Sequence, residues 1–433
     1  MDWRAALLAL PVPEDRAVPA DPVVTLAAAA AQAMAAVPAT PEKKEATELP
    51  QQPAAPLQLT SSNNRNMIQP TLNSFYQRRI ALVETSLTGE SYSGSSRLSS
   101  KNNQLWQSLL KPTFNIQPVT TPLRAASICI DGTPVVFSVK LTREQESPAF
   151  RVLVEPGGTG ITVPQQVSCS LKAADELLQI MGWQDAAEQV NRIIQQVFPS
   201  NSAELENWWG GIWLGTSIAD SHTELRMYLN LRHGNALQRW QRVANVLTEF
   251  SDDSIATVLE KLITQTSPHA IPVGLGIVIS GTVRGIRLYA GMQEPSKASI
   301  MDCISGDASL VKDDIHWFCH SILEQFGPFA RQSITLGYDF HLDKTGVLQP
   351  LISRTKIDVA CQRFAKTENF IPFLHQLVQQ FQFDNSQLPS FLADLRHCFN
   401  GCDVEYISLG VDNGIDHLTV YAKPHSLQPA GSN

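Results

Sequence analysis

The sequence lacks any apolar run long enough to span a bilayer. The longest in its N-terminal part, Val23 to Val37, is interrupted by Thr25 and Gln32. It is also shorter than the roughly 20 residues a spanning helix needs. Charge is scarce: charged residues make up 17% of the 433, and the net charge is −8. Cations are outnumbered, with 33 Lys and Arg against 41 Asp and Glu. A nucleic-acid backbone is therefore excluded as the main partner, because phosphate binding of that kind needs clustered Lys and Arg. A small basic site inside a cavity remains compatible with this balance. Cysteine is sparse and unpaired in pattern, seven residues with no CxxC. That usage reads as reduced thiols in a cytoplasmic protein. His397, Cys398 and Cys402 form half of a metal site without a second half, so no metal is expected. The GxSxG, HExxH and paired-carboxylate patterns are absent as well. Gly157-Gly158-Thr159-Gly160 lacks the Lys-Ser/Thr that completes a phosphate loop and reads as a hairpin loop. At the N-terminus Asp2 beside Arg4 weakens the positive region that a secretory signal requires.

What is present divides the chain in three. Residues 1–58 are Ala- and Pro-rich and end in the linker PQQPAAP, a composition that cannot pack a core. They read as a disordered arm. Residues 59–425 read as a single globular domain, and 426–433 as a flexible tail. Hydrophobic residues are 43% of the chain, enough for a large core. Two helical stretches, 66–85 and 102–110, precede a recurring pattern of strand, turn, strand and helix. The expected hairpins are Ala125–Ile130 with Val135–Thr142, Gly211–Ser217 with Glu224–Leu231, Pro272–Ser280 with Gly285–Met292, Ser333–Leu342 with Val347–Arg354, and Val404–Gly410 with His417–Lys423. Asp131-Gly132, Gly281-Thr282 and Asn413-Gly414 supply turn signals. A further strand pair, Phe150–Val154 and Thr162–Ser168, flanks the Gly-rich loop. Helices are expected over Leu171–Phe198, Ala236–Phe250, Leu310–Phe326 and Asp358–Phe381. Five hairpins repeating about every 60 residues mean one architecture repeated. Antiparallel hairpins of this kind close into a ring to remove their edges. The expected fold is α+β: a closed antiparallel ten-stranded β-barrel of five ββ hairpins, surrounded by α-helices. Ten strands enclose more space than side chains alone fill, so the lumen should hold a ligand. An open sheet packed on helices is the alternative.

The second strands carry an unusual alternation. Arg226 and Tyr228 lie two apart, as do Arg287 and Tyr289, and His417, Thr419, Tyr421 and Lys423 share one alternating set. Period two places each set on one face. The opposite set (Leu225, Met227, Leu229; Ile286, Leu288, Ala290; Leu418, Val420, Ala422) is apolar and suits outer helices. The polar face is either a solvated surface or the lumen. Arg pairs with phosphate oxygens, and Tyr adds neutral donors and a ring face for a cation. Trp208, Trp209 and Trp213 are candidates for lining an acceptor pocket, with core packing as the other reading.

The segments PLRAASICIDGTPVVFSVKL, GGIWLGTSIADSHTELRMYLNL, PVGLGIVISGTVRGIRLYAGMQEP and EYISLGVDNGIDHLTVYAKP resemble the aromatic prenyltransferases of the PT-barrel (ABBA) type. The likeness is to the cyanobactin peptide prenyltransferases and the fungal indole (dimethylallyltryptophan synthase-like) enzymes. It covers residues 115–425. It implies a prenyltransferase moving an allylic group, dimethylallyl in the simplest case, from its diphosphate to an electron-rich acceptor such as a peptide side chain or an indole. Lys140, Arg226, Arg287 and Arg354 are the implied diphosphate ligands, with Lys356 close to the last. Tyr228, Tyr289 and Tyr421 are the implied shields of the cation, and Tyr338 is a weaker one. His417 stands where a second tyrosine often lies. Arg124 occupies the position where such enzymes usually place an acidic residue on the first strand of the first hairpin. His417 and Arg124 are thus candidate substrate contacts, and the catalytic group is unassigned. Glu155 and Asp220 are nearby carboxylates with no geometric claim. The implied co-substrate is dimethylallyl diphosphate, with Mg²⁺ as an optional counter-charge. The implied partners are that small-molecule donor and a peptide or aromatic acceptor, bound by a monomer with no membrane span and no nucleic acid. A catalytically impaired barrel that binds isoprenoid diphosphate or peptide without turnover is the rival reading.

Overall fold

The computed structural model describes residues 135–424, apart from 144–148, 158–160, 209, 219–223, 252–253, 305–311, 327–333, 350, 362–366, 385–386, 400 and 412–413. Ten strands run in chain order: β1 (Val135–Thr142), β2 (Ala149–Val154), β3 (Ile212–Ile218), β4 (Glu224–Asn230), β5 (Ala270–Ser280), β6 (Thr282–Met292), β7 (Ile334–His341), β8 (Arg354–Ala360), β9 (Cys402–Val411) and β10 (Ile415–Pro424). Every neighbouring pair is antiparallel, and β10 returns to β1, closing the barrel. The closing seam aligns Lys140 with Thr419 and Ser138 with Tyr421. Closure leaves no unpaired edge.

Helices fill the long connections. They are α1 (Val163–Met181), α2 (Gln184–Val197), α3 (Ser202–Leu205), α4 (Ala236–Glu249), α5 (Ser254–Thr266), α6 (Lys297–Cys303), α7 (Lys312–Phe326), α8 (Thr367–Phe381) and α9 (Gln387–Phe399). The core lies between these helices and the outer wall of the ring. Leu225, Met227 and Leu229 of β4, Ile286, Leu288 and Ala290 of β6, and Leu418, Val420 and Ala422 of β10 are buried there with Trp240, Phe318, Phe373 and Phe391. The apolar alternate of each strand therefore points outward, and the polar alternate points into the lumen. No helix among the described residues is long and apolar enough to cross a membrane. The six described cysteines are free.

Several expected elements differ. Both edges of β1 are taken, by β2 and β10. The first hairpin is therefore β1 with β2, across a longer loop than the Asp131-Gly132 turn signal implies. The expected strand Ala125–Ile130 lies outside the described residues, as do Arg124, Asp220, Trp209, the arm, the early helices and the C-terminal tail. Thr162–Ser168 is the start of α1. Thr162 accepts from the Gln165 amide while Gln165 reaches back to the Thr162 N–H, and Pro164 sits in the first turn. This capping box overrides the β-branched composition. The same helical stretch is broken at Gly182, whose φ of 72° ends α1 before α2 begins. Finally, Arg354–Ala360 is a strand rather than a strand end followed by a helix at Asp358. Leu348 makes only an isolated bridge to Leu342, and β8 then pairs fully with β7 and β9.

Candidate active site in the barrel lumen

The inner wall carries a belt of charge over a partly apolar pocket. Arg151 on β2, Arg226 on β4, Arg287 on β6 and Lys356 on β8 all occupy lumen-facing positions. Their charges act on one another: Arg226 on Arg151, Arg287 on Arg226, and both Arg287 and Arg151 on Lys356. Two carboxylates hold part of this belt in place. Arg226 meets Glu224 at 2.8 Å. Arg287 grips both oxygens of Asp339, with its terminal nitrogen at 2.6 Å from Oδ2. A planar guanidinium held by two bonds is fixed in orientation. Burial pushes the Asp339 carboxyl up, and Arg287 beside it outweighs that and holds it well below the usual carboxylate range.

Arg151 and Lys356 lack such support. Burial, and then the charge of Arg226, lowers the Arg151 pKa. Its Nε is buried with no hydrogen-bond partner. Lys356 is 2% exposed. Burial, then Arg287 and Arg151, pulls its ammonium well below the ordinary lysine range, only partly offset by Asp358 and Asp339. Cations crowded in this way without matching anions are poised for an anionic ligand.

Aromatic rings line the same space. Tyr228 and Tyr289 lie 6.2 Å apart between ring centres. The Arg287 guanidinium stands 5.9 Å from the Tyr289 ring. Tyr421 pairs edge-on with Tyr406 at 6.4 Å. Trp213, Tyr228 and Tyr421 pack on Val136 and Leu153, forming an apolar patch inside the barrel. Burial pushes the Tyr421 phenol up to about 12 and Tyr289 well above its ordinary value, so both stay neutral donors.

Glycines make room for these side chains. Around β5 to β10 one cross-strand row reads Gly274, Tyr289, Gly337, Lys356, Gly410, His417. A Cβ on Gly337 would stand 3.3 Å from the Lys356 Cβ, and one on Gly410 would collide with the His417 ring at 2.1 Å. The alternation of small and large residues lets each bulky group lie against its neighbour's backbone.

The sequence-derived candidates divide between two places. Arg226, Arg287, Tyr228, Tyr289 and Tyr421 gather around the charge belt. Lys140 and Arg354 stand instead beside Asp416 and His417: Arg354 bonds Asp416 at 2.9 Å, and the charge of Lys140 acts on both Asp416 and His417. Lys356 links the two groups through its effect on His417. Tyr338 faces outward, donating to the Cys303 carbonyl at 2.9 Å, because it falls on the apolar alternate of β7. Trp208 also lies outside the ring, between Phe198 and His233, whereas Trp213 faces the lumen. Glu155 is buried against Gln166 at 2.6 Å. Sequence reasoning missed Arg151, Tyr406, Glu224, Asp339 and Asp358. Arg151 alternates with Leu153, a signal visible only once Ala149–Val154 is known to be a barrel strand.

His417 is 1% exposed, and its Nδ1 lies 2.8 Å from Asp416. Burial, and then Lys356, holds its pKa well below the ordinary 6.5 despite Asp416. The folded state thus binds fewer protons than the unfolded state below that pH. Stability is expected to fall as pH drops below 6.5, by up to about 1.4 kcal/mol per pH unit. Thermal unfolding across that range should show a steeper loss in the wild type than in His417→Gln.

A closed ten-stranded antiparallel ring, helix-covered outside and cationic and tyrosine-lined inside, is the PT-barrel fold. Solved structures with this fold resemble the chain over most of its length. They include prenyltransferase PriB in ternary complex with L-tryptophan and dimethylallyl thiolodiphosphate, at 16% identity and TM-score 0.62 over 85% of this chain and 99% of that one. The 5-dimethylallyl tryptophan synthase of Streptomyces coelicolor, solved with the same donor analogue and Trp, has 15% identity and TM-score 0.62 over 81% and 94%. AnaPT from Neosartorya fischeri has 12% identity and TM-score 0.53 over 83% and 95%. No family model matches the chain, and no curated protein matches it by sequence.

Proposed function

We propose that the protein transfers an allylic prenyl group, dimethylallyl in the simplest case, from its diphosphate to an electron-rich indole, phenol or peptide side chain. The observation that carries this reading is the convergence of Arg151, Arg226, Arg287 and Lys356 beside Tyr228, Tyr289 and Tyr421 in one enclosed lumen. As the allylic C–O bond breaks, negative charge grows on the departing diphosphate. Fixed cations in a partly dry site stabilise that charge most strongly. The tyrosine ring faces attract the allylic cation and exclude water from it. Lys140 and Arg354 extend the positive surface toward the Asp416–His417 end. Among the described residues no three His, Cys, Asp or Glu side chains converge as a metal ion would need. Arg151, Arg226, Arg287 and Lys356 supply neutralising charge, and Mg²⁺ carried by the diphosphate itself would add to it.

Titration with dimethylallyl thiolodiphosphate tests the reading. Micromolar binding is expected. Loss of one charge-assisted contact is worth about 1.5–3 kcal/mol, so Arg226→Ala should bind roughly ten- to a hundredfold more weakly. No binding by the wild type, or none lost in the variant, would overturn it. The alternative, a barrel that binds the donor without turnover, draws on β1, whose lumen-facing residues Val136, Ser138, Lys140 and Thr142 include no carboxylate. Assay with dimethylallyl diphosphate and a panel of tryptophan, tyrosine and peptides containing them separates the two.

A further inference from the structure

Alkylation of an aromatic acceptor leaves a proton to be removed, so a prenyl-transfer site needs a reachable acceptor for it beside the ring-lined pocket. Most lumenal carboxylates are already committed. Glu224 is bonded to Arg226, Asp339 to Arg287 through both oxygens, and Asp416 is bridged between Arg354 and His417. Asp358 is different. It occupies a lumen-facing position on β8, is half-buried, and makes no close ion pair among the described residues. Its charge acts on Tyr289 and Tyr421, two of the rings that face the allylic cation and so border the place an acceptor must reach. The other groups facing it are Lys356, Arg287, Asp339 and Ser408. Ser408, its cross-strand neighbour on β9, is fully buried, and its hydroxyl, taken up by no other group, favours the ionised form of Asp358.

We infer that Asp358 is the proton acceptor of the transfer reaction, with Ser408 positioning its carboxylate. This rests on the prenyl-transfer reading above. The allylic C–O bond breaks and its electron pair leaves on the diphosphate. A π pair of the acceptor forms the new bond to the allylic carbon. The Asp358 carboxylate then takes the acceptor's proton, restoring aromaticity, and later releases it to solvent. Burial raises the Asp358 pKa while Lys356 opposes the rise, which suits a carboxylate that must both take and return a proton.

The test uses the full chain, dimethylallyl diphosphate, and whichever of tryptophan, tyrosine or a tryptophan peptide the wild type alkylates fastest. Asp358→Asn is expected to lower kcat by about 10²-fold or more. It should keep its affinity for dimethylallyl thiolodiphosphate and lose the wild type's rise of kcat with pH. Asp358→Glu should recover part of kcat and the pH dependence, which a purely structural role would not give. Ring-deuterated acceptor should slow Asp358→Asn more than the wild type. Turnover of Asp358→Asn within about threefold of the wild type would overturn the assignment and leave the donor site standing. A wild type that neither binds the analogue nor alkylates any acceptor would overturn both.

Discussion

Arg287→Ala is expected to destabilise the barrel by about 3–5 kcal/mol and to abolish measurable donor binding. The two effects have different causes. Arg287 is 9% exposed and bonds both oxygens of Asp339, itself 9% exposed. Removing the guanidinium leaves a carboxylate buried without a partner, beside only the weaker influence of Lys356 and Arg226. The stability loss belongs to Asp339, whereas the binding loss belongs to the missing cation. A double variant, Arg287→Ala with Asp339→Asn, separates them. It should recover most of the stability in chemical denaturation and none of the affinity for dimethylallyl thiolodiphosphate. Recovery of both would mean that Arg287 serves only to neutralise Asp339.

Arg151→Met should act in the opposite sense on the two quantities. Arg151 is half-buried beside Arg226, and its Nε is fully buried with no hydrogen-bond partner. An unsatisfied buried polar group costs about 1–3 kcal/mol, so an apolar side chain of similar length should leave stability unchanged or raise it by about 1 kcal/mol. Donor affinity should fall by roughly ten- to a hundredfold, because a charge-assisted contact to the diphosphate is worth about 1.5–3 kcal/mol. A site that carries strain for its ligand gains stability when the strained group is removed. Undiminished affinity in this variant would place Arg151 outside the anion site. Taken with Arg287→Ala, it distinguishes cations anchored by a carboxylate from those awaiting a ligand.

Much of this site was legible along the chain. The alternations at Arg226 and Tyr228, and at Arg287 and Tyr289, named half of the belt, because period two is a property of a single strand. The final strand likewise placed Tyr421 and His417 on one face. Lys356 and Asp358 were harder to read. The stretch RTKIDVA is charged and short, and its strand state comes from pairing with β7 on one side and β9 on the other. Asp339 was hidden because its carboxylate gains meaning only opposite Arg287 on β6, 52 residues away.

The sequence alone determined three of the five hairpins, the apolar stripe of their strands and the residue types able to hold an anion, since these follow from local alternation and turn chemistry. The tertiary structure decided which strands close the seam, which face becomes the interior, and which cations meet. Lys140 and Arg354 look equivalent to Arg226 and Arg287 along the chain, yet the register of the ring carries them to the Asp416–His417 end. Arg151 looks like an isolated charge on an apolar strand, yet the same register brings it against Arg226. Convergence of this kind depends on how ten antiparallel strands align around a closed barrel, and no single strand encodes that alignment.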